Sequence, residues 1–370
     1  MGDRRQSPLA PSVGAGTGVR GYAARLHGRV ARCLRLAYCL LWLCLLLPAG
    51  DSAAAQPAEQ WALQRIGAAC AWAYTQGSPT VTVAVIDSGV DPDHPDLVGR
   101  LRGDGYDFVD NDHAPRDENG HGTHVAGIIA ATLASAEGVR GLAPAVQILP
   151  VRTMNEAGWG DEAAIAEGIR YATRRGVQVI NLSLGMTLWP ADEAALLTAA
   201  APLGAAVRDA QAAGVLVVVA AGNDFVPFPN LVAYENPDVL LVAASDEQDT
   251  KAPFSNSGPW VDVVAPGQHI RSTMPTYEVY LTSAALPPEQ RFMQGYDYLS
   301  GTSQAAPHVA ALAALLFAAF PDATATEVQA AIRQSADASI YNQHPAAYRR
   351  LHELGSGRID ACAALAATQR

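Results

Sequence analysis

A chain of 370 residues that is 49% hydrophobic and 16% charged has the composition of a folded globular domain and argues against a disordered protein. Its formal net charge of −11 offers no basic face, which argues against nucleic acid as a partner. An acidic surface is ordinary for a soluble protein and names no substrate.

The first 55 residues differ from the rest. They carry seven arginines against two acids, then the apolar run LRLAYCLLWLCLLL (34–47) and small residues ending SAAAQ, so without them the net charge is −16. A basic region, a short apolar core and an Ala-x-Ala before Gln56 predict a secretory signal cut after Ala55. The alternative is a membrane anchor, but the run is shorter than the roughly 20 residues a spanning helix needs. Residues 56–370 are therefore expected to be one folded domain, extracellular or periplasmic, with no stable membrane association, and monomeric. Three cysteines fall in the signal, leaving Cys70 and Cys362 at opposite ends of the mature chain. They either pair in an oxidising compartment or stay as two buried thiols.

From residue 80 onward, apolar runs alternate with helical segments. TVTVAVID (80–87) precedes the helix-like GTHVAGIIAATLA (122–134), and VQILPVR (146–152) precedes an amphipathic DEAAIAEGIRYATRRG (161–176). VQVINLSLG (177–185) leads into an alanine-rich segment (191–213), followed by VLVVVAAGN (215–223), VLLVAAS (239–245) and WVDVVAPG (260–267). Short continuous Val/Ile/Leu runs spaced by helices predict an α/β fold, a parallel sheet covered on both faces. Chemistry is then expected at the carboxyl ends of the strands, where Asp87, Ser183-Leu184-Gly185 and Asn223 lie.

Asp87 ends an apolar strand in VIDSG, where a carboxylate needs a partner to offset its desolvation. His121 stands between Gly120 and Gly122 in NGHGTHVAG, at an expected helix start. Ser303 sits in SGTSQAAPHVA, with Pro307 expected in the first helical turn. Such a trio supports acyl transfer: imidazole takes the serine proton, the carboxylate holds the tautomer, and Oγ attacks a carbonyl. Asn223 offers a neutral amide donor for an oxyanion hole together with the Ser303 N–H. Singly, each residue has a bland reading: a turn aspartate, a helix-capping serine, a turn asparagine. Jointly, the order Asp, His, Asn, Ser is distinctive. No Gly-x-Ser-x-Gly precedes the histidine, and HGTH lacks the glutamate and spacing of a zinc HExxH site.

The chain resembles the subtilisin-like serine proteases over nearly all of residues 58–368. The marks are AVIDSGVDPDHPDL, NGHGTHVAGIIAA, GLAP, VINLSLG, VVVAAGN, FSNSGPWVDVVAPG and SGTSQAAPHVA. The resemblance implies a three-layer subtilisin-like fold and a serine endopeptidase acting on polypeptides, with Asp87, His121 and Ser303 as triad and Asn223 as oxyanion donor. Two other readings stand beside it: an inactive binding module of the same fold, and an esterase or amidase using the same triad. By position, a peptide would lie between Gly158-Trp159-Gly160 and Ser183-Leu184-Gly185, with Ala220, Ala221 and Gly222 lining the primary pocket. The loop after Asn223 carries Phe225, Val226 and Phe228 with no Lys or Arg near in sequence, which points to an apolar residue before the scissile bond. Trp159 either walls a subsite or packs, and His124 is expected to be a core histidine.

Several features depart from the family. The usual pro-region is missing between Ala55 and EQWALQRIGA. No cofactor is expected for the chemistry, but Asp107, Asp110 and Asp112 in DFVDND resemble a structural calcium loop, against the alternative of a solvated acidic turn. Arg116 stands where such relatives offer an oxygen. At the other familiar calcium site Asp96 is present, but its loop partner lacks an asparagine. Residues 275–295 look like an insertion ahead of the nucleophile. Gln304 replaces a methionine common beside the serine.

Overall fold

The computed structural model describes residues 60–367, apart from 135–137 and 191–192. The expected secretory signal lies outside the described residues. Each predicted apolar run becomes a strand, because a run buried on both faces can only be the interior of a covered sheet. In chain order the strands of the main sheet are β1 (Thr82–Asp87), β2 (Tyr106–Asp107), β3 (Gln147–Arg152), β4 (Val179–Leu182), β5 (Leu216–Ala220), β6 (Leu240–Ser245) and β7 (Val263–Pro266). They pair in parallel in the order β2-β3-β1-β4-β5-β6-β7. A separate antiparallel pair joins β8 (Ile270–Thr273) to β9 (Tyr296–Leu299).

The helices are α1 (Trp61–Arg65), α2 (Ala68–Tyr74), α3 (His121–Ala130), α4 (Glu162–Arg174), α5 (Glu193–Ala212), α6 (Leu231–Glu235), α7 (Thr302–Ala319), α8 (Ala325–Gln334), α9 (Ala346–Arg350) and α10 (Ala361–Ala367). Alternation along β1 assigns them to layers. Val83 and Val85 share a core with Val125 and Ile129 of α3 and Val309 and Leu312 of α7. Ala84 and Ile86 share the other core with Ile165 and Ile169 of α4 and Leu203 and Val207 of α5. The result is a three-layer α/β fold with a mostly parallel central sheet, as the resemblance implied.

Among the described residues, α7 is the helix long and apolar enough to cross a membrane, yet 89% of it is buried in the fold. A helix apolar all round is the expected centre of a core. Cys70 on α2 and Cys362 on α10 form a disulfide, with Cα atoms 5.3 Å apart. That closes the choice left open between a bond and two thiols. β1 lies between β3 and β4, so the chain leaves it in one direction and later returns on the other side. The carboxyl ends of β1 and β4 therefore border the crevice such a reversal creates.

Candidate active site

Asp87 is the last residue of β1 and is fully buried. His121 is the first residue of α3. Two glycines permit this placement: Gly120 turns the chain at φ +114°, and a Cβ on Gly122 would lie 2.1 Å from the Gly89 carbonyl. His121 Nδ1 meets Asp87 Oδ1 at 2.8 Å, and the same oxygen accepts the Ser88 N–H, also at 2.8 Å. His121 Nε2 is buried and has no hydrogen-bond partner among the described residues. Burial alone would depress the imidazole pKa, but the charge and hydrogen bond of Asp87, with the charge of Asp117, outweigh it and raise the pKa.

Ser303 is the second residue of α7 and is buried. The helix begins at Thr302, with Gly301 before it and no side-chain cap, so the capping role for Ser303 is not the one observed. Asn223 does the positioning instead. Its Oδ1 accepts the Thr302 N–H at 2.8 Å and the Thr302 hydroxyl at 3.0 Å, and the same hydroxyl oxygen accepts the Gly222 N–H at 3.0 Å. That network fixes the amide orientation and turns Nδ2 the other way. A Cβ on Gly301 would stand 3.3 Å from Nδ2, so the glycine keeps the front of that donor clear. Pro307 is not in the first turn as expected but is the sixth helical residue. Having no N–H, it leaves the Ser303 carbonyl without its helical donor. The Ser183 hydroxyl fills the gap at 2.8 Å, while Ser303 Oγ donates to the Ser183 carbonyl at 3.1 Å.

The remaining predicted residues fall in three places. Gly158, Trp159 and Gly160 form an exposed edge, and Trp159 is 58% exposed, which rules out the packing role. Ser183 and Leu184 are buried, whereas Gly185 is exposed with nothing within 4 Å of where a Cβ would be. Ala220 and Ala221 are buried, and their carbonyls are held by Asn230 (3.0 Å) and Asn256 (3.2 Å). Phe225 is 67% exposed, and the fold brings Lys251 to 4.8 Å from its ring centre, a cation that its immediate sequence does not reveal. Burial lowers the Lys251 pKa to about 8. His124 is a buried core histidine bonded through Nε2 to the Ile270 carbonyl at 3.0 Å, its pKa lowered by burial to about 3.

The expected calcium loop does not come together. Arg152, at the end of β3, places one guanidinium nitrogen 2.7 Å from Asp107 Oδ2 and 2.7 Å from Asp110 Oδ2, and another against Glu118. The second Asp107 oxygen accepts the N–H groups of Val109 and Asp110. Asp112 turns away to accept the Ala114 N–H at 2.8 Å. The cation among these oxygens is thus an arginine, and no group of three acids, histidines or cysteines among the described residues is placed to hold a metal. Asp96 likewise spends its carboxylate on the N–H groups of Ala134 and Val139.

Sequence reasoning missed Asp117. Its buried carboxylate accepts N–H groups from Asn119 (3.0 Å), Gly120 (2.8 Å) and Thr123 (2.9 Å), and hydroxyls from Ser88 (2.9 Å) and Thr123 (2.6 Å). It therefore organises the turn that delivers His121. The available signal was an acid just upstream of a glycine-flanked helix start, a place where orphan N–H groups want an acceptor. Thr302 was missed as well, because its partner lies 79 residues away.

Residues 78–357 match the model of the subtilase family. Thermitase of Thermoactinomyces vulgaris is 42% identical over 279 residues, covering 75% of this chain and 88% of thermitase. A thermophilic serine proteinase of Bacillus sp. strain AK1 is 45% identical over 72% of this chain, which spans only 59% of that longer protein. A solved protease from Pseudoalteromonas arctica PAMC 21717 superposes with a TM-score of 0.68 at 30% identity, covering 83% of this chain and 96% of that one. With that sheet order, a paired His121 and buried Asp87, and a serine in the first turn of α7, the chain belongs to the subtilase family and is a serine-type endopeptidase.

Proposed function

We propose that Asp87, His121 and Ser303 are the catalytic triad and that Asn223 Nδ2 and the Ser303 N–H form the oxyanion hole. The observation that carries this reading is the 2.8 Å contact of His121 with the buried Asp87, which leaves Nε2 as an unspent acceptor. With Nδ1–H held by the carboxylate, Nε2 is the basic nitrogen. Ser303 Oγ leaves the Ser183 carbonyl, gives its proton to Nε2 and attacks the peptide carbonyl. Catalytic contacts of this kind tighten when substrate binds. The new oxyanion meets two donors already oriented, one by Thr302 and one by the helix start; as it collapses, the C–N bond breaks and Nε2 returns the proton to the leaving amine. The acyl-enzyme on Ser303 is then attacked by a water that gives its proton to Nε2, and that proton restores the serine hydroxyl as the acid leaves.

The substrate is an extended polypeptide lying between residues 158–160 and 183–185 as an added strand. Open space at Gly185 supports close backbone approach there. Apolar surface at Phe225, Val226 and Phe228 favours an apolar residue before the scissile bond, with Lys251 at its border. The protein acts outside the cytoplasm as a monomer after loss of residues 1–55; the Cys70–Cys362 bond supports an oxidising compartment.

The test is labelling by a serine-directed organophosphonate, paired with casein hydrolysis. Wild type takes the label and cleaves casein, and Ser303→Ala does neither. Labelling of both proteins, or equal and negligible cleavage by both, overturns the assignment.

A further inference from the structure

The segment 275–295 leaves the fold after β8 and returns before β9. Its base is closed where the Met274 N–H donates to the Gly295 carbonyl at 2.6 Å and the Gly295 N–H to the Pro275 carbonyl at 3.1 Å. Between those points the chain does not wander over the surface. Val279, Leu281 and Phe292 are buried, and the Phe292 N–H donates to the Leu281 carbonyl at 2.9 Å. Thr276 is tied to the Asp91 carboxylate by its N–H at 2.9 Å and its hydroxyl at 2.7 Å.

What the segment grips is the run leading into His121. The Tyr277 hydroxyl donates to the Asp117 carbonyl at 2.8 Å, the Tyr280 N–H to the Glu118 carbonyl at 3.0 Å, and the Leu281 N–H to the Asn119 carbonyl at 3.0 Å. Three consecutive carbonyls before Gly120 thus take their donors from one loop. At Gly120 itself, the space a side chain would need is filled by Met274 (3.0 Å), Val279 (3.4 Å) and Leu281 (3.6 Å). The Tyr277 ring carries the Arg116 guanidinium 3.7 Å above its centre, so it holds the residue before Asp117 as well. From the inside, the Asp117 carboxylate fastens the N–H groups of Asn119 and Gly120. The turn is held on both sides, and only the inner clamp belongs to the segment that bears the histidine.

We infer that residues 275–295 are a strap that sets the position of His121, with Tyr277 as its principal positioning residue. This rests on the reading of His121 as the catalytic base. Tyr277 touches neither the Asp87–His121 contact nor Ser303, so it acts through the backbone of residues 117–119. Loosening that backbone lets the imidazole drift from Asp87, and acyl transfer is steeply sensitive to such drift. The charged and titratable groups facing the imidazole are Asp87, Asp117 and His124, and none of them is altered by changing Tyr277.

The experiment compares wild type, Tyr277→Phe and Tyr277→Ala in the full-length protein, with each preparation's active sites counted by organophosphonate labelling. Tyr277→Phe removes the hydroxyl alone, and kcat per labelled site is expected to fall about fivefold, the worth of one hydrogen bond. Tyr277→Ala also removes the platform under Arg116, and the fall is expected to exceed about tenfold. KM for a peptide substrate stays within about twofold of wild type, because peptide-binding residues are untouched. The acid limb of the pH–kcat profile moves down as the pairing with Asp87 weakens. A merely structural loop would lower thermal stability and the labelled fraction but leave kcat per labelled site and the acid limb at wild-type values. That outcome in Tyr277→Phe overturns the strap alone, even where Tyr277→Ala fails to fold. A wild type that takes no label overturns the triad reading and the strap with it.

Discussion

Ser183 and Ser303 exchange hydrogen bonds: the Ser183 hydroxyl donates to the Ser303 carbonyl at 2.8 Å, and the Ser303 hydroxyl to the Ser183 carbonyl at 3.1 Å. Pro307 creates the vacancy by withholding the helical N–H that the Ser303 carbonyl would otherwise accept. The chain just after β4 and the start of α7 are therefore locked to each other. Ser183→Ala leaves that carbonyl buried and unpaired, a cost of about 1–3 kcal/mol. The melting temperature should fall measurably, and turnover should drop by about tenfold as Ser303 loses its fixed height. Unchanged melting and turnover would show the pair to be incidental.

The pH profile follows from the His121 environment. With His121 as the proposed base, turnover needs the neutral imidazole, whose pKa is raised above the ordinary 6.5. The acid limb of kcat/KM should thus lie above 6.5. Asp117→Asn removes one of the charges that raise it, so the limb should move down. For stability the raised pKa has the matching sign: His121 contributes below the unfolded value, and the contribution is lost as pH climbs through the folded one.

His124 and His308 work in the opposite direction. Burial lowers their pKa values to about 3 and about 4, so both stay neutral where the unfolded chain would protonate them. Their stabilising contribution is present above 6.5 and is lost as pH falls from 6.5 toward 4. Each uncompensated proton costs about 1.4 kcal/mol per pH unit in that window. Urea midpoints measured from pH 7 to 4 should decline, and His308→Gln should flatten the decline.

Arg152 predicts how the acidic loop responds to chelation. Its side chain is only 3% exposed and is paired to Asp107, which is 1% exposed. Removing the guanidinium strands a buried carboxylate, so Arg152→Ala should lose about 3–5 kcal/mol in denaturant unfolding. EDTA should leave the native melting temperature unchanged at this loop. A large drop with EDTA that calcium reverses, and that vanishes in Asp110→Ala, would restore the calcium reading.

Gln304 is buried next to Ser303, and its Nε2 has no hydrogen-bond partner among the described residues. It offers no sulfur to oxidise. Peroxide should leave casein hydrolysis largely intact, and Gln304→Met should make it peroxide-sensitive. Equal inactivation of both proteins would sink this account.

The sheet was legible because strands buried on both faces write themselves as unbroken apolar runs, and TVAVID or LVVVA can be little else at that length. The Asp87, His121, Asn223 and Ser303 positions were legible because glycines and strand ends mark where the chain must turn toward a crevice. What stayed hidden depends on partners far along the chain. Arg152 reads as a strand-terminal arginine until the fold sets it against carboxylates 34 to 45 residues away in sequence. Pro307 reads as a first-turn proline because nothing local reveals that Asn223 starts the helix at Thr302. The grip of residues 275–295 on 117–119 runs largely through backbone groups, which carry no side-chain signature.

The Cys70–Cys362 bond spans 292 residues of sequence. Reducing it should destabilise the fold by roughly 2–4 kcal/mol. It also has a consequence particular to an enzyme that cuts polypeptides. Any single self-inflicted nick between those two positions severs the backbone without releasing a fragment. A damaged copy would run as one molecule on a non-reducing gel and separate into two pieces only when thiol is added. Ageing of this protein by its own activity would therefore stay invisible to any assay of size that leaves one covalent bond unbroken.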